Sequence, residues 1–233
     1  MMHINRNFLI AWLVHLLTAS GLLWGFLATL AIIANDWKQA LLWMSASVAA
    51  DAIDGPISRI FRIQTVLPHF DGALLDTIVD FYTYVIVPVL FMYMAGLFPQ
   101  DASVWVSILV LLVSGYQFCQ KDAKTPDQYF KGFPSYWNVT VFYLLAFGWN
   151  NWINLIIVML LCISIFVPIK YFYPTRTTVS RRATLTIALL WGSSAFVVIL
   201  SYPNAIPWAL WGSFCCAIIY ILMSIRQTLL DRK

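Results

Sequence analysis

Charge is scarce in this sequence, and glutamate is missing altogether. Only 10% of the 233 residues are charged, where a soluble domain carries roughly a quarter. A surface so poor in charge is not built for water, so a soluble globular protein is excluded. Cysteine is also sparse. Cys119, Cys162, Cys215 and Cys216 lie in or at the ends of apolar runs. They lack the spacing of metal or redox motifs and imply no disulfide framework. A cleaved leader is not expected, because the first apolar run, Phe8 to Ala34, is too long for one and a second run follows at once. Soluble domains and low-complexity linkers are absent too.

What the chain does have is apolar length. It is 61% hydrophobic with a mean hydropathy of +0.80. Runs near twenty residues recur from end to end, each about long enough to cross a ~30 Å hydrocarbon core. Turn residues and charges divide them into eight expected helices, over 8–34, 39–62, 70–97, 102–120, 134–149, 151–169, 183–201 and 205–225. The fifth opens on Pro134, a residue suited to a first helical turn. Alternate loops collect Arg6; Arg59 and Arg62; Lys121, Lys124 and Lys131; Lys170, Arg176, Arg181 and Arg182; and Arg226, Arg232 and Lys233. Of fourteen basic residues, only Lys38 is left on the opposite side. Cytoplasmic loops gather Lys and Arg. The expectation is an all-α integral membrane protein with eight transmembrane helices, both termini cytoplasmic, forming a single domain over 1–233. Its basic loops, Lys170 to Arg182 especially, would touch anionic lipid heads; no nucleic-acid partner is expected.

All ten acidic residues are aspartates, and five lie between Asp51 and Asp80: Asp51, Asp54, Asp71, Asp76 and Asp80. Helical spacing puts Asp51 and Asp54 on one face, and Asp76 and Asp80 on one face. At ~1.5 Å per residue, the two pairs sit roughly 7–18 Å inward from the intervening loop. A carboxylate at that depth costs at least ~2.5–3.5 kcal/mol, and four of them together repel. Hard divalent cations remove both costs, since Mg²⁺ and Mn²⁺ favour carboxylate and phosphate oxygens. Two ions shared among four aspartates would balance the charge. Pairing with Arg59 and Arg62 alone is insufficient, as two basic residues are too few for five acids.

The stretch Asp51-Ala-Ile-Asp54-Gly55-Pro-Ile-Ser58-Arg59, then Gly72-Ala-Leu-Leu-Asp76-Thr-Ile-Val-Asp80, resembles the signature of the CDP-alcohol phosphotransferases, D-x2-D-G-x2-A-R followed by G-x3-D-x3-D. Seven of its eight fixed positions match, with Ser58 in place of the usual alanine. The spacer of twelve residues between Arg59 and Gly72 is similar to that of the bacterial phosphatidylcholine synthase branch. So are Ala11-Trp-Leu-Val-His15-Leu-Leu-Thr18-Ala-Ser-Gly21, the segment Phe70 to Asp76, and Tyr129-Phe-Lys-Gly-Phe-Pro-Ser-Tyr-Trp-Asn138.

This resemblance implies transfer of a phosphatidyl group from CDP-diacylglycerol to choline with release of CMP, using Mn²⁺ or Mg²⁺, at the cytoplasmic side of a bacterial inner membrane. Asp51, Asp54 and Asp76 become the main metal ligands, with Asp80 near the second ion and also the general base. Asp51, Gly55, Ser58, Arg59 and Gly72 become the nucleotide and CDP-lipid contacts, the glycines letting nucleotide approach the backbone closely. Choline's quaternary ammonium donates no ordinary hydrogen bond, so aromatic faces and negative charge must recognise it. The candidates are Asp71, Tyr82, Tyr129, Tyr136, Trp137, Asn138 and His15, with the segment 129–138 favoured as a group. Tyr84 also follows the last aspartate. Gly21-x3-Gly25 offers a packing face for a homodimer. Two rivals remain: a same-family synthase for serine, inositol phosphate or glycerol phosphate, and a cation-coupled transporter, which would move solute and release no CMP.

Overall fold

The computed structural model describes residues 6–231, so the expectation for Arg232 and Lys233 lies outside the described residues. Its order is α1 (Arg6–Ile33), α2 (Trp37–Ile60), a single turn α3 (Ile63–Val66), α4 (Gly72–Met94), α5 (Gln100–Cys119), β1 (Tyr129–Lys131), α6 (Trp137–Phe147), α7 (Asn151–Ser164), β2 (Lys170–Phe172), α8 (Arg181–Ser201) and α9 (Pro207–Leu230). Every expected helix has a helical counterpart. Five are long and apolar enough to cross a membrane: α1, α4, α5, α8 and α9. Helices α6 and α7, at 11 and 14 residues, rise only ~16 and ~21 Å. Helix α2 is long enough, but its second half carries the motif aspartates and Arg59. The chain is therefore a mostly helical, multi-pass membrane protein.

Local chemistry sets the element boundaries near the motif. The Asp36 carboxylate accepts from the Gln39 amide at 3.0 Å and caps α2. That helix ends at Ile60, and Arg62 turns the chain back with a left-handed φ of 48°. Asp71 then caps α4, accepting from the Leu74 amide at 2.9 Å. Helix α6 starts at Trp137, not at Pro134, because Ser135 holds a left-handed φ of 56° that interrupts helical winding.

Helices α2 and α4 pack on α1 more than on each other. The α1 glycines make this possible. A Cβ on Gly25 would come within 2.6 Å of the Tyr82 ring, and one on Gly21 would collide with Val79. This Gly-x3-Gly face is filled by α4 of the same chain and is not free for a second copy. Below it, Val85, Val87, Phe91 and Met92 of α4 anchor the main core with Val110, Trp137 and Val141.

The antiparallel ribbon β1–β2, which pairs Tyr129 with Phe172 and Lys131 with Lys170, has no counterpart among the expected all-helical elements. It joins the two long basic loops. Tyr220 of α9 donates to the Phe172 carbonyl at 2.7 Å, and the Lys170 amide donates to Thr228 at 2.8 Å. Lys170 also bridges Asp127 and Asp231 at 2.7 Å each. Its hydrogen bond holds the Asp127 carboxyl below the usual carboxylate range. At Gly132, with φ of 76°, a side chain would run into the Ile165 carbonyl oxygen, so only glycine lets the ribbon lie against α7.

Candidate active site

Three aspartates converge. One carboxylate oxygen each from Asp51 of α2 and from Asp76 and Asp80 of α4 lie within 4.8 Å of one another. Spacing of four residues puts the α4 pair on one face, and the two helices meet across a gap roofed by α1. Immediately after Asp80, the backbone widens into a π-helical stretch, Phe81–Ile86. Such widened turns recur at functional positions. This one carries Tyr84, whose hydroxyl donates to Asp51 Oδ2 at 2.7 Å.

Asp54 stands apart from the trio. It is 5% exposed and lies beside Thr18 of α1. The expected four-carboxylate cluster is thus three plus one. The trio has the donor set a hard divalent ion prefers, oxygens from several carboxylates with room for phosphate oxygens to complete the shell. These residues fit Mg²⁺ or Mn²⁺.

The aspartates open onto one long cavity of about 1600 Å³, larger than the ~300–1,000 Å³ usual for a small-molecule site. Gly55, Ser58 and Arg59 line it, and so does Gly72. Lys124 and Arg176, from the two loops flanking the ribbon, supply a basic rim. Arg59 reaches the same rim, where its Nη2 donates to the Thr175 carbonyl at 3.4 Å. Away from the carboxylates the walls turn apolar, with Met44 and Val48 of α2 facing Ala188, Leu189 and Phe196 of α8.

The two motif glycines differ in what they accommodate. A Cβ on Gly55 would meet only Arg59 Nη1, at 3.3 Å, leaving its face open to a ligand. At Gly72 a Cβ would collide with the His15 imidazole, with Nδ1 at 3.0 Å. Gly72 therefore makes room for His15, a side chain packed at 4.4 Å from the Phe70 ring that lines the cavity. Gly72→Ala is expected to cost about 1–3 kcal/mol of stability by overpacking, read as a lower unfolding temperature in detergent. His15→Ala in the same chain should restore much of the loss; no recovery would break the link.

Residues 11–169 match the CDP-alcohol phosphatidyltransferase family. The chain belongs to that family. It is 40% identical over 232 residues to a phosphatidylcholine synthase of Legionella pneumophila, covering 96% of this chain and 90% of the relative. A phosphatidylcholine synthase of Borreliella burgdorferi is 38% identical over 186 residues, 80% of each chain. One from Pseudomonas aeruginosa is 32% identical over 197 residues, 84% of this chain and 83% of the relative.

In this CDP-alcohol phosphatidyltransferase, the residues expected to hold the acceptor divide. Tyr136, Asn138 and His15 line the cavity. Four others lie outside its lining. Asp71 is exposed and spent on capping α4. Tyr82 packs against Gly25, with its hydroxyl 3.1 Å from Thr29. Tyr129 is buried in the ribbon against Phe172, with Lys170 over its ring at 5.5 Å. Trp137 is wholly buried, donating from Nε1 to Ser114 at 2.7 Å. In their place the cavity presents Tyr84, Phe130, Tyr173 and Lys124. Tyr84 was within reach of sequence reasoning, being one helical turn past Asp80. Tyr173 and Lys124 were not, since only the ribbon brings their loops to the site.

Proposed function

We propose that this chain is a phosphatidylcholine synthase, transferring the phosphatidyl group of CDP-diacylglycerol to choline. The observation carrying this reading is the carboxylate trio opening on a cavity with a basic rim, an aromatic side and an apolar arm. Each part suits one piece of the reaction: metal and pyrophosphate, cationic alcohol, and acyl chains. Relatives bearing the name phosphatidylcholine synthase support the choice of choline.

In the proposed chemistry, the choline hydroxyl oxygen attacks the phosphorus that bears diacylglycerol. A new P–O bond forms as the bond to CMP breaks, the electron pair leaves with CMP, and the hydroxyl proton passes to Asp80. Asp51, Asp54, Asp76 and Asp80 would hold two divalent ions, Mn²⁺ or Mg²⁺. Bound there, the ions would offset the charge of the pyrophosphate and of the departing CMP. Asp80, flanked by the other carboxylates, orients the alcohol as its proton leaves. Asp51 is aligned by the Tyr84 hydroxyl. Gly55, Ser58 and Arg59 face the nucleotide, with Lys124 and Arg176 beside the phosphates. Gly72 serves indirectly, by admitting His15.

The same reading places eight crossings in a bacterial inner membrane, with termini and catalytic mouth on the cytoplasmic side. The basic loops around the ribbon support it. It also treats 1–233 as one domain, because the cavity takes its lining from Val14 to Tyr220.

Purified protein supplied with CDP-diacylglycerol, Mn²⁺ and a panel of alcohols tests the reading through CMP. Release is expected with choline and not with serine or inositol phosphate. Release with one of those alone would make the chain a sister synthase, while solute flux across vesicles without CMP would make it a carrier.

A further inference from the structure

Four aromatic rings form a continuous side of the cavity. Tyr84 lies 6.0 Å from Tyr136, Tyr136 lies 6.2 Å from Phe130, and Phe130 stacks on Tyr173 at 4.6 Å with an interplanar angle of 26°. All four are only partly buried, and all four line the cavity. Phe130 comes from β1, and Tyr173 follows directly on β2, so the stacked pair exists because the ribbon exists. The row begins at Asp51, through the Tyr84 hydroxyl.

A cation already sits against the stacked pair. Lys124 Nζ is 6.0 Å from the centre of the Phe130 ring and 5.9 Å from that of Tyr173, within the range of a cation–π contact. The same ammonium is in electrostatic range of Asp51, Asp76 and Asp80. One position therefore lies beside both stacked rings and within the electrostatic field of three carboxylates, and the chain's own ammonium occupies it. A flexible lysine on an exposed loop residue can vacate such a place at little cost.

The geometry points to Phe130 and Tyr173 as the residues that select the acceptor, receiving its quaternary ammonium where Lys124 now lies. The inference rests on choline being the acceptor. A hydroxyl held at Asp80 leaves the trimethylammonium two carbons away, inside the cavity that these rings line and that the buried Trp137 and Tyr129 do not. Once displaced, the Lys124 ammonium is free to turn toward phosphate.

The test is steady-state CMP release by wild type, Phe130→Leu, Tyr173→Leu and Tyr173→Phe. Choline is varied at saturating CDP-diacylglycerol, and the lipid at saturating choline. A second acceptor is the neutral isostere of choline with a tert-butyl group in place of the trimethylammonium. Each leucine variant is expected to raise the choline KM roughly tenfold, while the CDP-diacylglycerol KM stays within about twofold. Their preference for choline over the isostere, in kcat/KM, should fall by a similar roughly tenfold factor, and Tyr173→Phe should keep it. Choline KM values unmoved in the leucine variants would overturn the inference, as would a rise confined to the CDP-diacylglycerol KM, which would assign the rings to the nucleotide. Wild-type protein showing no preference for choline over the isostere overturns it without recourse to any variant. Failure of wild type to release CMP with choline at all would instead remove the function on which the inference rests.

Discussion

Asp80→Asn is expected to lower CMP release with choline by about 10²–10⁴-fold, the usual loss on removing a general base, while Mn²⁺ and CDP-diacylglycerol still bind. The amide keeps the size of the carboxylate and one oxygen that can face a metal, but it cannot take a proton. Asp80 is suited to the role by position, sharing a 4.8 Å cluster with Asp51 and Asp76 at the start of the π-helical stretch. Steady-state kinetics with Mn²⁺ binding by calorimetry separates the two functions. Activity within tenfold of wild type would take the base assignment away from Asp80.

Asp76→Asn should fail in a different way. As a main ligand, where Asp80 lies near the second ion alone, Asp76 is expected on losing its charge to weaken Mn²⁺ binding by at least about a hundredfold, beyond the ~10–100-fold typical of losing a supporting partner. Activity should fall with it, and excess Mn²⁺ should recover part of the loss. Excess metal should recover none of the loss in Asp80→Asn. Unchanged metal affinity in Asp76→Asn would show that the trio is not the metal site, and the distinction between ligand and base would go with it.

The membrane class and the acidic motif were legible in the sequence because both depend on local pattern. Long apolar runs report lipid directly, and helical spacing puts Asp76 and Asp80 on one face, while packing of α2 and α4 on α1 brings Asp51 to them. The limits appear where a residue's role depends on a distant partner. Asp71 reads as one more acid beside the site, yet as a capping residue it is consumed by its own helix. Gly72 reads as space for a ligand, but the imidazole that fills the space comes from another helix. Trp137 and Tyr129 lie in the same segment with their rings buried elsewhere, and Phe130 and Tyr136 between them are the rings that face the cavity. Three-residue strands carry too little alternation to announce themselves, so the ribbon and its Tyr173 had no signature to find. Polar second halves and short lengths, as in α2, α6 and α7, likewise keep hydropathy from settling how many helices cross.

The ribbon also sets an order of events during synthesis. Its strands are separated by about forty residues of chain, and its fastenings, Tyr220 and Thr228, lie near the carboxyl end. A nascent chain that has emerged only through α7 already owns every motif aspartate, but Tyr173 and the helix that steadies it have yet to leave the ribosome. Maturation of the acceptor pocket is thus deferred until the last hairpin inserts, and a prematurely terminated product would retain the acidic centre without the half of the site that chooses an alcohol.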